Sequence, residues 1–157
     1  MIKKLQNSNI EISKNIFFIF QVSYAIEAEL LNITDFPPLK RTLENYINSS
    51  TEFFGYFKNQ NLAGVIEIDN NNNNNNNNKF THINSLVVDP KFFRQGIARK
   101  LMEFVFETFD SDLFVVETGL ENGPAIKLYN NLGFKEVNQW NTDHGIRKVK
   151  FDRRINN

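Results

Sequence analysis

The sequence predicts a mixed α/β fold, with one β-sheet holding both antiparallel and parallel neighbours and helices packed on it. Three observations carry this expectation. Strand-like segments arrive first as a hairpin group between residues 53 and 88. Later strand-like segments alternate with amphipathic helical ones, and the full order reads β-α-α-β-β-β-α-β-α-β-β. Tight hairpins make antiparallel neighbours, whereas a strand–helix–strand run suits a parallel pair, so the sheet is mixed. The 157 residues, 41% hydrophobic and 23% charged, match one ordinary domain (1–157) able to bury a core, and 16 Phe residues predict that this core is Phe-rich.

Each element has its own signal. Ile2–Leu5 reads as a short first strand. Between Ile10 and Leu31, Ile16, Ile19, Phe20, Ser23, Ile26, Glu27 and Leu30 recur at three- and four-residue spacing, which is a helical pattern. Thr34–Pro38 ends it, because Pro37-Pro38 cannot continue a helix. Leu39–Ile47 reads as a second short helix, and Phe53–Phe57 and Leu62–Ile68 as a hairpin joined through Lys58–Asn61. Phe80–Val88 is the third strand of this group. Between them stand nine consecutive Asn, Asn70–Asn78, a tract with nothing apolar to bury that reads as a flexible, lengthened loop. Such lengthening costs only ~0.6 kcal/mol per doubling.

Downstream, Gly96–Phe109 is an amphipathic helix with Ile97, Leu101, Phe104 and Val105 on one face. Leu113–Glu117 is a strongly apolar strand, and Asn122–Asn131 a helix that Gly133 terminates. Phe134–Trp140 and Gly145–Phe151 supply the last two strands.

Composition excludes several functions. Lys+Arg and Asp+Glu both number 18, so bulk charge supports neither a nucleic-acid nor a membrane-surface partner. There is no Cys, which removes disulfides, thiolate metal sites and Cys nucleophiles; two histidines, His82 and His144, do not make a His-rich site, so no metal is expected. The longest apolar run, Ile16–Phe20, is far short of a membrane span, and the first nine residues carry no signal-peptide core. A cytoplasmic protein is the expectation, as a monomer or a homodimer.

The segment Ser85–Leu101 carries the chemistry. An apolar strand runs into a turn at Asp89-Pro90, and a short polar loop then enters a helix at Gly96, with Ala98 two residues on. Small residues let backbone approach a ligand closely. Amides from about Arg94 to Arg99 are free donors at a helix N-terminus, reinforced by the dipole and by Arg94, Arg99 and Lys100. That is a cradle for a diphosphate. Neither Gly-x-x-x-x-Gly-Lys-Ser/Thr nor Gly-x-Gly-x-x-Gly occurs, which argues against an ordinary nucleotide-binding module.

Leu86-Val87-Val88-Asp89-Pro90 followed by Gln95-Gly96-Ile97-Ala98 resembles motif A of the GNAT superfamily of N-acetyltransferases. Its usual form is an apolar strand, Pro, then Arg/Gln-x-x-Gly-x-Gly/Ala. Asn122, Ala125, Tyr129, Gly133 and Phe134 resemble motif B, Asn-x-x-Ala-x-x-x-Tyr-x-x-x-Gly-Phe. The resemblance covers residues 80–140 well, and the N-terminal half matches in element order alone. It implies a mostly antiparallel, twisted sheet of six to seven strands with helices on both faces. It also implies that parallel strands 4 and 5 splay to admit acetyl-CoA, with no metal. Phe93 occupies the position where motif A has its first Arg or Gln.

The implied activity is acetyl transfer to a primary amine of a small molecule or peptide, by direct attack in a ternary complex. The alternative is an idle acyl-CoA-binding domain of the same fold. The resemblance places the cofactor against Leu86, Val87, Val88, Arg94, Gln95, Gly96, Ile97, Ala98, Arg99, Asn122, Ala125 and Tyr129. It makes Tyr129 the acid that serves the departing sulfur, with a half-buried core aromatic as the bland alternative. Glu117, five residues before Asn122, matches the base of the branch that acetylates ribosomal-protein and peptide N-termini. His82 on strand 4 is a second candidate, since a neutral imidazole accepts a proton near pH 7; relay through water is a third. The same fold roofs the acceptor with the first two helices and the last hairpin, so Tyr24, Glu27, Glu29, Asp35, Asp143 and Arg147 fall near the acceptor, and His144 in a solvent-exposed turn.

Overall fold

The computed structural model describes residues 1–70 and 79–155. The asparagine tract read as a loop therefore lies, from 71 to 78, outside the described residues. Among the described residues, seven strands form one sheet in the order β1-β2-β3-β4-β5-β7-β6. They are β1 (Ile2–Leu5), β2 (Glu52–Lys58), β3 (Asn61–Asp69), β4 (Phe80–Val88), β5 (Leu113–Gly119), β6 (Lys135–Asn141) and β7 (Arg147–Arg154). Four α-helices accompany them: α1 (Ile10–Leu30), α2 (Leu43–Ile47), α3 (Ile97–Thr108) and α4 (Gly123–Asn131).

Local chemistry explains the boundaries. Asn9 starts α1, its side-chain oxygen accepting from the amides of Glu11 at 2.9 Å and Ile12 at 3.3 Å. The single helix expected over Leu39–Ile47 is instead two pieces. Pro37-Pro38 sets a 3-10 turn over Pro37–Lys40, Arg41 then goes extended (ψ 128°), and Thr42 restarts the chain as α2 through a capping box with Asn45. The break turns Arg41 toward the sheet, where its guanidinium is used. Asn59 and Gln60, at φ 51° and 70°, make the two-residue left-handed turn that joins β2 to β3.

Every neighbouring pair is antiparallel except β4 and β5. Those two pair in parallel only from Phe80↔Leu113 to Ile83↔Val116. β4 nevertheless stays paired with β3 out to Val88, and β5 with β7 out to Gly119. The two strands therefore part after Ile83 and Val116, leaving facing backbone edges without a strand partner.

Two cores flank the sheet. On one face α1 and α2 bury Ile16, Ile19, Phe20 and Tyr46 against Phe53, Val65 and Val87. On the other, α3 and α4 bury Ile97, Leu101, Val105 and Tyr129 against Ile66, Phe114, Val116 and Phe151. Both mix aliphatic side chains with Phe, which forms edge-to-face pairs such as Phe20–Tyr46 (5.0 Å) and Phe106–Phe114 (5.0 Å). Among the described residues no helix is long and apolar enough to cross a membrane, and no group of three or more His, Asp or Glu is arranged to hold a metal ion.

Candidate active site

A cavity of about 630 Å³ opens where β4 and β5 part. Ile83–Leu86 of β4 and Val116–Gly119 of β5 line it, with Asn122, the cap of α4, and Ala125 and Tyr129 on one side of that helix. Tyr24, Glu27 and Leu31 of α1, the Phe36–Arg41 connection and Thr142–Lys148 of the last hairpin close it. The roof expected from the first helices and the last hairpin is thus present. Of the acceptor-side candidates, Tyr24 and Glu27 line the cavity; His144, expected in a solvent-exposed turn, is exposed and sits at the rim. Glu29 is exposed outside it, Asp35 pairs with Lys40, and Arg147 is held by Gln139 and Asn141 on the hairpin.

Tyr129 is 5% exposed, packed between Phe134 and Phe151 at ring distances of 5.7 and 5.8 Å. Burial, and next the negative charge of Glu27, push its phenol well above the usual tyrosine range. It is therefore a committed proton holder at neutral pH. Asn122 caps α4, its Oδ1 accepting from the Ala125 amide at 3.3 Å while its Nδ2 donates to Thr118 Oγ1 at 3.3 Å. Its side chain also acts on Glu27, whose carboxyl is raised first by burial and brought partly back by Asn122 and then Lys148.

Glu117 lies on the cavity wall between two nitrogens: Lys148 Nζ at 3.6 Å and His82 Nε2 at 4.0 Å. His82 itself does not line the cavity; it stands behind Glu117, with its Nδ1 on the Asn84 side-chain oxygen. The two base candidates are thus one cluster rather than competing sites.

At the other end of β4, the loop conformation follows from its residues. Asp89 caps the turn by accepting from the Lys91 amide at 3.0 Å. Arg94 (φ 64°) and Gly96 (φ 75°) both adopt the left-handed conformation, and a Cβ at Gly96 would meet nothing within 4 Å. Lys100 is the first residue of α3 to bond back, to the Gly96 carbonyl at 3.0 Å. Among the described residues, no backbone carbonyl accepts from the amides of Arg94–Arg99. Val87 and Ile97 are 2% exposed, so only their backbone is available to a ligand. Val88 and Ala98 are half-buried, and Arg94 is exposed. Arg99 pairs with Glu103 at 3.4 Å, and the Gln95 side chain is held by Lys58. Phe93 points its ring outward, 43% exposed.

One arrangement escaped the sequence reading. Glu67 on β3 is 2% exposed and takes a two-pronged hydrogen bond from Arg41 (2.8 and 2.9 Å). Thr51 Oγ1 donates to it at 2.7 Å and Ser85 Oγ at 3.0 Å. Arg41 stacks on Tyr46 at 4.1 Å, and Tyr24 hydrogen-bonds Ser85. This network ties the cavity's outer wall to the sheet. A lone Glu inside the apolar run Val65-Ile66-Glu67-Ile68 was its only trace in the sequence.

Comparison with known proteins agrees with this geometry. The family model described as an acetyltransferase (GNAT) domain matches residues 28–155. The UPF0157 protein YqkA of Bacillus subtilis is 31% identical over 147 residues, 93% of this chain; the chain spans 41% of that relative's length. Among solved structures, the ribosomal-protein-S18-alanine N-acetyltransferase of Escherichia coli superposes with a TM-score of 0.75 at 18% identity, covering 99% of this chain and 93% of that one. The PaiA N-acetyltransferase of Thermoplasma acidophilum, solved in complex with coenzyme A, gives 0.72 at 17% identity, covering 99% and 98%. Smu.2055 of Streptococcus mutans gives 0.76 at 18%, covering 98% of each chain. These structures share the fold, and the domain match spans most of the sequence: the chain belongs to the GNAT acetyltransferase family.

Proposed function

We propose that this chain transfers an acetyl group from acetyl-CoA to a primary amine by direct attack within a ternary complex, as one catalytic domain. The observation that carries the reading is the parting of β4 from β5 beside a buried, proton-holding phenol, Tyr129. The free edge of β4 around Val88 offers N–H donors to the thioester end of the cofactor and to the oxygen that gains charge. The amides from Arg94 to Arg99 suit the diphosphate, and the open space at Gly96 leaves room for its close approach. A solved neighbour of the same fold carries coenzyme A.

An alkylammonium titrates near ~10.4, so it must lose a proton before it can attack. Glu117 takes that proton, with His82 and Lys148 holding its carboxylate in place. The new C–N bond forms as the C–S bond breaks. Tyr129 donates to the leaving sulfur, which ends as the thiol, and the second proton shed by the nitrogen as the amide forms restores the phenol. A panel of primary amines and peptides assayed for CoA release tests the reading. Release above the hydrolysis background with at least one class is the expected result; binding of CoA with no release from any acceptor overturns it. That second outcome is what an idle acyl-CoA-binding domain produces, and Phe93 at the motif's Arg/Gln position is the feature favouring it.

A further inference from the structure

The charged groups lining the cavity are unequally matched. Lys40 is paired with Asp35, Arg41 with Glu67, and Lys148 with Glu117 at 3.6 Å. Glu27 alone among the lining carboxylates has no cation within ion-pair distance among the described residues. It projects from α1 as a half-buried side chain beside the neutral amide of Asn122, with Lys148 acting on it only from beyond ion-pair distance. A half-buried carboxylate without an ion partner is costly in the empty site, and a ligand cation relieves that cost. The surroundings fit an alkylammonium, since Tyr24 and Phe36, edge to face at 5.8 Å, line the same wall. Glu27 also acts electrostatically on Tyr129, so a cation held there lies near the phenol.

We propose that Glu27 anchors the ammonium group of the acceptor, making the site selective for primary ammonium ions over neutral molecules of the same shape. This rests on the amine-acceptor reading above and names its specificity residue. The ammonium docks on Glu27 and gives up its proton to Glu117 on the facing strand. Ionisable groups on the cavity walls around Glu27 are Tyr24 on its own helix, Lys40 and Arg41 on the Phe36–Arg41 connection, Glu117 on β5, Tyr129 on α4, and His144 and Lys148 on the last hairpin. Burial raises the Glu27 carboxyl, so anchoring strengthens as the pH rises through that raised value.

The test is calorimetric titration of the CoA-loaded protein at pH 8 with n-butylammonium and with n-butanol. A short peptide bearing a free or an acetylated N-terminus separates a small amine from a chain terminus as the source of the ammonium. The wild type is expected to favour an ammonium probe over its neutral counterpart by at least tenfold. Glu27→Gln should reduce that ratio to near one while binding CoA as before and melting no lower than the wild type. In the wild type the preference should fade on acidification. A wild type without preference, or a Glu27→Gln protein that keeps it, overturns the proposal. Preference without CoA release in the amine panel sinks acetyl transfer and leaves the anchor standing. CoA release with an unchanged KM in Glu27→Gln does the reverse.

Discussion

Glu67 shows how a single buried charge is made tolerable. Burial alone would raise its carboxyl, but the hydrogen bonds from Arg41, Thr51 and Ser85 outweigh that and hold it below the usual range. Its ionised form therefore stabilises the fold above its ordinary value of 4.5, and that contribution is lost as the pH falls through the lowered folded-state value. Glu67→Ala leaves Arg41 without its partner and should cost roughly 3–5 kcal/mol, measured by urea unfolding at pH 7. The penalty should shrink on acidification. Glu27 has the opposite sign: its carboxyl is raised, so its contribution is full below 4.5 and declines as the pH rises through the folded-state value. Tyr129→Phe removes one hydroxyl from a packed ring. Turnover should fall by about 10²-fold, within the range for a positioned acid, while CoA affinity stays within twofold. Wild-type turnover in this variant would take Tyr129 out of the reaction.

At the level of elements, the decisive feature is the contact between β3, the end of β4 and α3. Gly64 sits where a Cβ would come 2.9 Å from Ile97 Cγ2 and 3.1 Å from the Val87 carbonyl oxygen. The first residue of α3 can press onto the sheet only because that Cβ is absent. Gly64→Ala should therefore destabilise by about 1–3 kcal/mol and weaken CoA binding, because it pushes the start of α3 away from β4. A thermal melt with and without CoA reads both effects. The split of the region before β2 into a 3-10 turn and α2 belongs to this scale as well. Helical spacing over Leu39–Ile47 is real, yet the extended Arg41 that interrupts it is held by Glu67, 26 residues away.

For the whole molecule, binding of CoA to the folded state should raise the melting temperature by mass action. At a hundredfold excess over Kd the gain is about 2.7 kcal/mol, or ~5–10 °C for a chain of this size. No shift at millimolar CoA would contradict the cofactor assignment. The curated relative is more than twice as long as the matched segment, so acetyl transfer by this segment alone is itself part of the proposal.

Most of the architecture was legible from local pattern. Strand and helix periods, Pro37-Pro38, Gly96 and Gly133 are short-range signals, and β1, β4 and the boundaries of α1, α3 and α4 follow them to within a residue or two, whereas α2 begins four residues later than its pattern. The Asn122–Tyr129 spacing likewise puts both residues on one cavity wall, because a helix carries them. The motif resemblance already implied that the parallel strands β4 and β5 splay; only the tertiary structure decided that they part after Ile83 and Val116, that His82 stands behind Glu117, and that Arg41 reaches Glu67. These are contacts between residues far apart in the chain, set by sheet register and packing, and no local run of side chains encodes them. The same holds for Glu27: its place in the helical pattern was plain, but its lack of an ion partner within ion-pair distance appears only once the cavity walls close around it.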